Sequence, residues 1–337
     1  MRIAVIGAGA IGGYLGARLA LAGQDVTFIA RGANLEAITT NGFRLIEEDG
    51  TERVARPRTA PNAAAAGTHD LVLLAVKAHQ VSALAPELPA LLGSDTPVVT
   101  LQNGIPWWFF HRFGDAHEGS IVRAADPDGS IASHIPNDRV IGSVVYPASE
   151  LIAPGVVKVI EGNRFTLGEP DGSRSARVVA VSEALSAAGF KAPVSTDLRS
   201  EIWLKLWGNL VFNPVSALTH ATLDRICAFE PTHALAERMM AEAAEVAEAL
   251  GLRLRISIEK RIAGAAAVGA HKTSMLQDVE AGRAIELDAL VGGVVELARL
   301  TGVATPSIDA VHACAALLAD RLAESGGRFR LDNPGVE

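Results

Sequence analysis

The sequence is poor in the groups that build disulfide frameworks and metal centres. Its 337 residues hold two cysteines, Cys227 and Cys314, far apart and without C-x-x-C or Cys/His spacing. That excludes a disulfide scaffold and a zinc ribbon, and both side chains are expected as small buried apolar groups. The nine histidines are scattered with no H-x-x-x-H pair, so no metal is expected. There is no basic stripe, and the formal net charge is −8. Binding to a nucleic-acid backbone is therefore disfavoured, and any anionic ligand needs a local site. No uncharged apolar run is long enough to span a bilayer. The first strand opens at Arg2 and leaves no room for a leader peptide, so the cytoplasm is the expected compartment. No internal repeat and no low-complexity linker is present. Hydrophobic residues at 49% and charged residues at 20% fit a globular chain, long enough for about two domains.

What is present begins at once. Arg2 to Ile6 is a short apolar run, as in a strand buried on both faces. It leads into Gly7-Ala8-Gly9-Ala10-Ile11-Gly12, a G-x-G-x-x-G turn. A helical stretch follows and stops at Gly23, and Asp25 to Ala30 reads as a second strand. Strand, glycine turn, helix and strand make one βαβ unit at dinucleotide-binding spacing. Gly7 suits the tight turn, Gly9 lets backbone approach a pyrophosphate, and Gly12 lets helix and strand pack closely. Gly7, Gly9, Ala10, Ile11 and Gly12 are the candidate cofactor-binding residues here. A plain β-turn-α connection is the alternative.

An acid normally ends the second strand of an NAD site. Here Phe28-Ile29-Ala30-Arg31 has none. The guanidinium of Arg31 suits a 2′-phosphate, hence NADP, unless it is simply an exposed loop arginine. Further strands are expected at Asp70 to Val76, ending at Lys77, and at Pro97 to Leu101, ending at Gln102-Asn103-Gly104. A helix over Val81 to Leu92 is interrupted by Pro86 and Pro89. Gly7, Arg31, Lys77 and Asn103 thus all lie just past strand ends, where open α/β sheets bind ligands. Val140 to Tyr146, Gly155 to Ile160 and Arg164 to Gly168 are expected as later strands of the same sheet, partly antiparallel. Ser173 to Ala188 reads as a helix.

From Thr196 the pattern is almost wholly helical. The expected domains are therefore 1–195, an α/β dinucleotide-binding domain, and 196–337, an all-α domain. The tail after Ser325 is polar and expected to fray. The apolar helices over 235–320 could bury a homodimer face or equally fill their own domain's core.

One helix is singular. Capped by Thr196 or Asp197, it carries Lys205, Asn209 and Asn213 at i, i+4 and i+8 amid Trp203, Leu206, Trp207, Leu210 and Val211. A helix this apolar is buried, and an unmet polar group there costs about 1–3 kcal/mol. A polar substrate would meet the stripe; so would snorkelling of Lys205 and cross-links from the asparagines. Downstream, Ser274-Met275-Leu276-Gln277 reads as a capping box, and Arg283 to Asp288 follows Gly282.

These blocks, GAGAIG at 7–12, Arg31, VK at 76–77, QNG at 102–104, WLKLWGNLVFN at 203–213, SMLQD at 274–278 and R-x-x-E at 283–286, resemble in order and spacing the ketopantoate reductase (2-dehydropantoate 2-reductase) family over nearly the whole chain. The resemblance implies a Rossmann-type domain, then a helical domain, with the active site in their cleft. It implies NADPH-dependent reduction of 2-dehydropantoate to pantoate, a step of pantothenate biosynthesis. Carried over residue by residue, Lys205 is the catalytic lysine, and Asn103 lies beside nicotinamide and substrate. Lys77 closes over the cofactor cleft. Asn209, Asn213 and Ser274 bind substrate, and Glu286 binds its hydroxyl with a secondary catalytic role. Two alternatives share the scaffold: a reductase of a different 2-keto acid, and a non-catalytic NADP-sensing protein. Pro106-Trp107-Trp108-Phe109-Phe110 and the loop 126–135 depart from the family pattern and could line a different acyl pocket.

Overall fold

The computed structural model describes residues 1–327. The expected fraying of the tail lies, from residue 328 on, outside the described residues. The chain divides into two compact units, Met1–Ile202 and Trp203–Glu337.

The first unit is built on the βαβ start. β1 (Arg2–Ile6), α1 (Ala10–Leu21) and β2 (Asp25–Ile29) are followed by α2 (Gly32–Asn41), β3 (Phe43–Ile46), β4 (Glu52–Ala55), β5 (Arg58–Ala60) and α3 (Ala63–Ala66). Next come β6 (Leu71–Leu74), α4 (Ala78–Leu84), β7 (Val98–Thr100), α5 (Ser130–His134), β8 (Val140–Val145), β9 (Ala148–Ala153), β10 (Val156–Glu161), β11 (Phe165–Gly168) and α6 (Ala176–Ala187). A seven-stranded sheet runs in the order β11-β8-β7-β6-β1-β2-β5. Its strands are parallel except β11, which pairs antiparallel with β8. The central strands read as apolar runs because helices cover them, and Ile3, Val5, Val72, Leu73, Val98 and Val99 are all fully buried.

Sequence expectation and structure part at several points. Gly155 to Ile160 does not join this sheet. Its strand β10 lies in a second sheet, ordered β4-β3-β10-β9. β9 and β10 form an antiparallel hairpin, and β10 then runs parallel to β3. The reason lies in α1, whose glycines admit this second layer. A Cβ at Gly13 would collide with Phe43 of β3, and one at Gly16 with Phe28 of β2. The two phenylalanines stack at 5.0 Å between centroids. Val81 to Leu92 is also not one helix. α4 ends at Leu84 and a 3₁₀ turn carries Ala85–Leu91, since Pro86 and Pro89 remove backbone donors. The aromatic run is core, not pocket: Trp108, Phe109 and Phe110 are each at most 1% exposed, and Trp107 is 7% exposed. Trp108 donates Nε1–H to Thr100 Oγ1 at 3.2 Å, and Trp107 donates to Asn137 Oδ1 at 3.0 Å. In the 126–135 loop, buried Asp126 accepts the backbone N–H groups of Ile131 (3.0 Å) and Ala132 (2.9 Å), capping α5.

α7 (Leu198–Thr219) begins in the first unit and continues in the second. Its first turn is rooted by Arg199, which donates to the carbonyls of Phe109 (2.7 Å), His111 (2.6 Å) and Pro170 (2.5 Å) and lies 5.0 Å over the Phe113 ring.

The second unit is helical: α8 (Leu223–Ala228), α9 (Glu230–Ala249), α10 (Ile258–Ala267), α11 (Ser274–Glu280), a π-helical turn Asp288–Gly292, α12 (Gly293–Thr301) and α13 (Pro306–Glu324). Trp207 donates Nε1–H to Met240 O at 2.8 Å, tying α7 to α9. Glu242 of α9 accepts the backbone N–H groups of Ser307 (2.9 Å) and Ile308 (2.9 Å), closing the start of α13. Of the two cysteines, Cys227 is buried as expected. Cys314 is exposed, because its position on α13 faces away from the core.

Candidate active site

The glycine turn has the shape its motif predicts. Gly7 has φ +100°, a conformation L side chains rarely adopt, and a Cβ there would meet Val76 Cγ1 at 2.9 Å. A Cβ at Gly12 would collide with the Gly7 carbonyl, so the third residue of α1 must be glycine for the helix to lie this close to the turn. At Gly9, by contrast, a Cβ would meet nothing within 4 Å. Gly9 is the N-cap of α1, and its carbonyl accepts from Gly13 N–H at 2.8 Å. The open space over Gly9 and the helix start at Ala10 and Ile11 form a cradle for an anionic group, and the donors fit the pyrophosphate of a dinucleotide.

The parallel register sets the remaining strand ends along one edge of the sheet. Arg31 follows β2 as the N-cap residue of α2; its side chain is 63% exposed and pairs with Glu87 at 2.8 Å. A surface pair of this kind contributes about 0–1 kcal/mol. Asn34 holds α2 in place, donating to Ala8 O at 3.3 Å and accepting from Gly155 N–H at 3.0 Å. Lys77 follows β6 as the N-cap residue of α4 and is half-buried; its N–H donates to Gln80 Oε1 at 3.2 Å. Asn103 follows β7 and is half-buried, beside Gly104 at φ +92°. Gln102 is a residue the motif contained without a role. Its Nε2 donates to Leu74 O (2.8 Å) and Val76 O (2.9 Å), so it pins the end of β7 to the chain leaving β6. Asn103 and Lys77 are thereby held on adjacent strand ends.

In the second unit the polar stripe of α7 is present. Lys205 and Asn209 are half-buried and Asn213 is 5% exposed. Burial pulls the Lys205 ammonium down to about 8 from an ordinary 10.5, and the Glu286 carboxylate opposes that by favouring the charged form. Lys205 and Glu286 are therefore electrostatic partners although 81 positions separate them by number. Glu286 sits half-buried just before the π-helical turn Asp288–Gly292. The segment leading to it is fixed by Arg283, whose Nε lies 2.9 Å from the buried Asp278 carboxylate.

The helix start near Ser274 differs from the capping box expected. Thr273 is the N-cap residue, its Oγ1 accepting from Leu276 N–H at 3.2 Å. Ser274 is the first helical residue and is exposed. Gln277 turns back to donate to Lys272 O at 3.1 Å. At the start of α7, Asp197 precedes the first helical residue; its carbonyl accepts from Glu201 N–H at 3.3 Å, and its own N–H donates to Ser195 Oγ at 3.1 Å.

Among the described residues no cluster of three or more His, Cys, Asp or Glu side chains could hold a metal ion. No described helix is long and apolar enough to cross a membrane.

Comparison with known proteins gives the same reading along the whole chain. Residues 3–172 match the family model described as Ketopantoate reductase PanE/ApbA, and residues 197–319 match its C-terminal counterpart. A 2-dehydropantoate 2-reductase of Mesorhizobium japonicum is 55% identical over 320 residues, covering 95% of this chain and 98% of that protein. One from Halobacterium salinarum is 30% identical, covering 91% and 95%. The crystal structure of a ketopantoate reductase candidate from Ralstonia solanacearum MolK2 has a TM-score of 0.91 at 41% identity, covering 97% of this chain and 99% of that one. With a sheet, a glycine cradle and a lysine-bearing helix of the expected kinds, and relatives matched end to end, this chain belongs to the ketopantoate reductase family.

Proposed function

We propose that the protein reduces 2-dehydropantoate to pantoate with NADPH. The observation that carries this is the pairing of Lys205 and Glu286 across the second unit, together with the open glycine cradle of the first. Gly7, Gly9, Ala10, Ile11 and Gly12 hold the pyrophosphate, Arg31 the 2′-phosphate, and Lys77 and Asn103 the nicotinamide end. The bound dinucleotide supplies a hydride to the C2 carbonyl carbon.

The residues of the chain do the rest. Negative charge grows on the carbonyl oxygen as the hydride arrives, and the Lys205 ammonium stabilises it and delivers the proton. A lysine brought to about 8 suits this work: it is still protonated near neutrality, yet a far better acid than an ordinary lysine. Glu286 favours the charged form and accepts from the substrate hydroxyl. Asn103, Asn209, Asn213 and Ser274 orient the substrate.

The test is steady-state NADPH oxidation with ketopantoate. Lys205→Ala is expected to lower kcat by about 10²–10⁴-fold, the range for a positioned acid. Arg31→Ala is expected to raise KM for NADPH with little change for NADH. Normal turnover without Lys205 refutes the acid; equal losses for both cofactors refute the 2′-phosphate site.

A further inference from the structure

The backbone pairing of β6 with β7 stops short of the residues it serves. Thr100 lies opposite Leu74, and Leu101 N–H donates to Leu74 O at 3.2 Å as the last rung. Lys77 and Asn103 come after that rung. The side chain of Gln102 carries the pairing further, its Nε2 donating to Leu74 O at 2.8 Å and to Val76 O at 2.9 Å. Val76 immediately precedes Lys77, and Gln102 immediately precedes Asn103. One amide therefore ties together the residues in front of both groups.

The tied segment is also packed on its other side. Ala75 N–H donates to Ile6 O at 2.8 Å. A Cβ at Gly7 would meet Val76 Cγ1 at 2.9 Å and Ala75 O at 3.0 Å, and one at Gly12 would meet Ala75 Cβ at 2.9 Å. Ala75 and Val76 thus lie between the glycine turn and the Gln102 amide. Gln102 Oε1, by contrast, is buried and has no hydrogen-bond partner among the described residues. A buried unmet acceptor is unfavourable. Turning the amide over does not relieve it, since Oε1 would then face two carbonyl oxygens. An apolar side chain of the same length would fill this space without that cost, and also without the two donors.

We infer that Gln102 is a positioning residue of the dinucleotide site, which holds Lys77 and Asn103 at a fixed separation beside the glycine turn before the cofactor arrives. This rests on the dinucleotide reading given above and involves the first unit alone. Side chains ordered in advance lose less freedom on binding, so cutting the tie weakens the cofactor.

The experiment is calorimetric titration of the full chain with NADP⁺ and with adenosine 2′-phosphate, for the wild type, Gln102→Met and Gln102→Glu. Gln102→Met keeps the length of the side chain and removes both donors. It is expected to weaken NADP⁺ about tenfold, the loss for two side chains left for the ligand to order. Adenosine 2′-phosphate, which reaches only the Arg31 end, is expected to bind as in the wild type. Gln102→Glu separates the hydrogen bonds from the packing. Its carboxylate has no donor for the two carbonyls, whereas its protonated form has one, and burial beside those carbonyls raises its titration. Its NADP⁺ affinity relative to the wild type is expected to rise about threefold from about pH 8 to about pH 5.5, as one hydrogen bond returns. Unchanged NADP⁺ affinity in Gln102→Met overturns the inference. Equal losses for the two ligands overturn it too, since the whole sheet edge would then have loosened. So does a Gln102→Glu affinity whose ratio to the wild type is the same at both pH values. If the wild type binds neither ligand, the dinucleotide reading fails and the role of Gln102 falls with it.

Discussion

Replacing Glu286 with glutamine isolates the electrostatics of the lysine. Burial draws Lys205 down to about 8, and Glu286 is the group that works against that pull. In the proposed mechanism reduction needs the protonated lysine, so wild-type kcat is expected to fall as pH rises through about 8. A nearby opposite charge moves a pKa by about 1–3, and solvent at the half-buried pair places this case at the low end. Glu286→Gln is therefore expected to bring Lys205 to about 7 or below. At pH 8 the protonated fraction then drops from about a half to about a tenth, a roughly fivefold loss, while below pH 6 the two proteins converge. Lys205→Arg is the control, because a guanidinium stays protonated and its weak activity should be flat across the alkaline range. The assay is kcat for NADPH oxidation at saturating ketopantoate, from about pH 6 to 10. An alkaline limb in Glu286→Gln equal to or above that of the wild type refutes the coupling.

Other outcomes are expected from the same structure. The folded value of Lys205 lies below its ordinary 10.5, so the unfolded chain binds more protons between about 8 and 10.5 and stability rises with pH across that window. Lys205→Met should therefore raise Tm at pH 7. The gain is bounded at about 3 kcal/mol and reduced to about 1–2 by solvent at this half-buried group; it shrinks as pH rises from about 8 to 10.5 and is gone above that. An unchanged Tm at pH 7 refutes the burial cost. Trp108→Ala should cost about 3–5 kcal/mol in urea unfolding. Trp108→Phe should leave KM for ketopantoate unchanged, since Trp108 fills the space over Gly142, where a Cβ would lie 2.5 Å from its ring. A shifted KM would return the aromatic run to the pocket.

The glycine turn, the strand ends and the stripe on α7 were legible in the sequence because each is a local pattern. Gly7 to Gly12 specify a turn by sterics within six residues, and Lys205, Asn209 and Asn213 share a face by helical period alone. The second sheet was not legible. β9 and β10 form a local hairpin, but β10 is placed by pairing with β3 more than a hundred positions earlier. Gly13 and Gly16 were its trace, small residues on α1 where aromatic rings had to approach.

By itself the sequence determined the glycine turn and the polar stripe of α7, which follow from backbone sterics and side-chain period, and its ordered motif blocks carried the resemblance to the family. Only the tertiary structure decided which groups act on one another. Burial and Glu286 set the acidity of Lys205, Gln102 levels two strand ends, Thr273 rather than Ser274 caps α11, and Trp107 to Phe110 are core. Each of these depends on distance through space, and no spacing along the chain encodes the desolvation of one ammonium or the exposure of one ring.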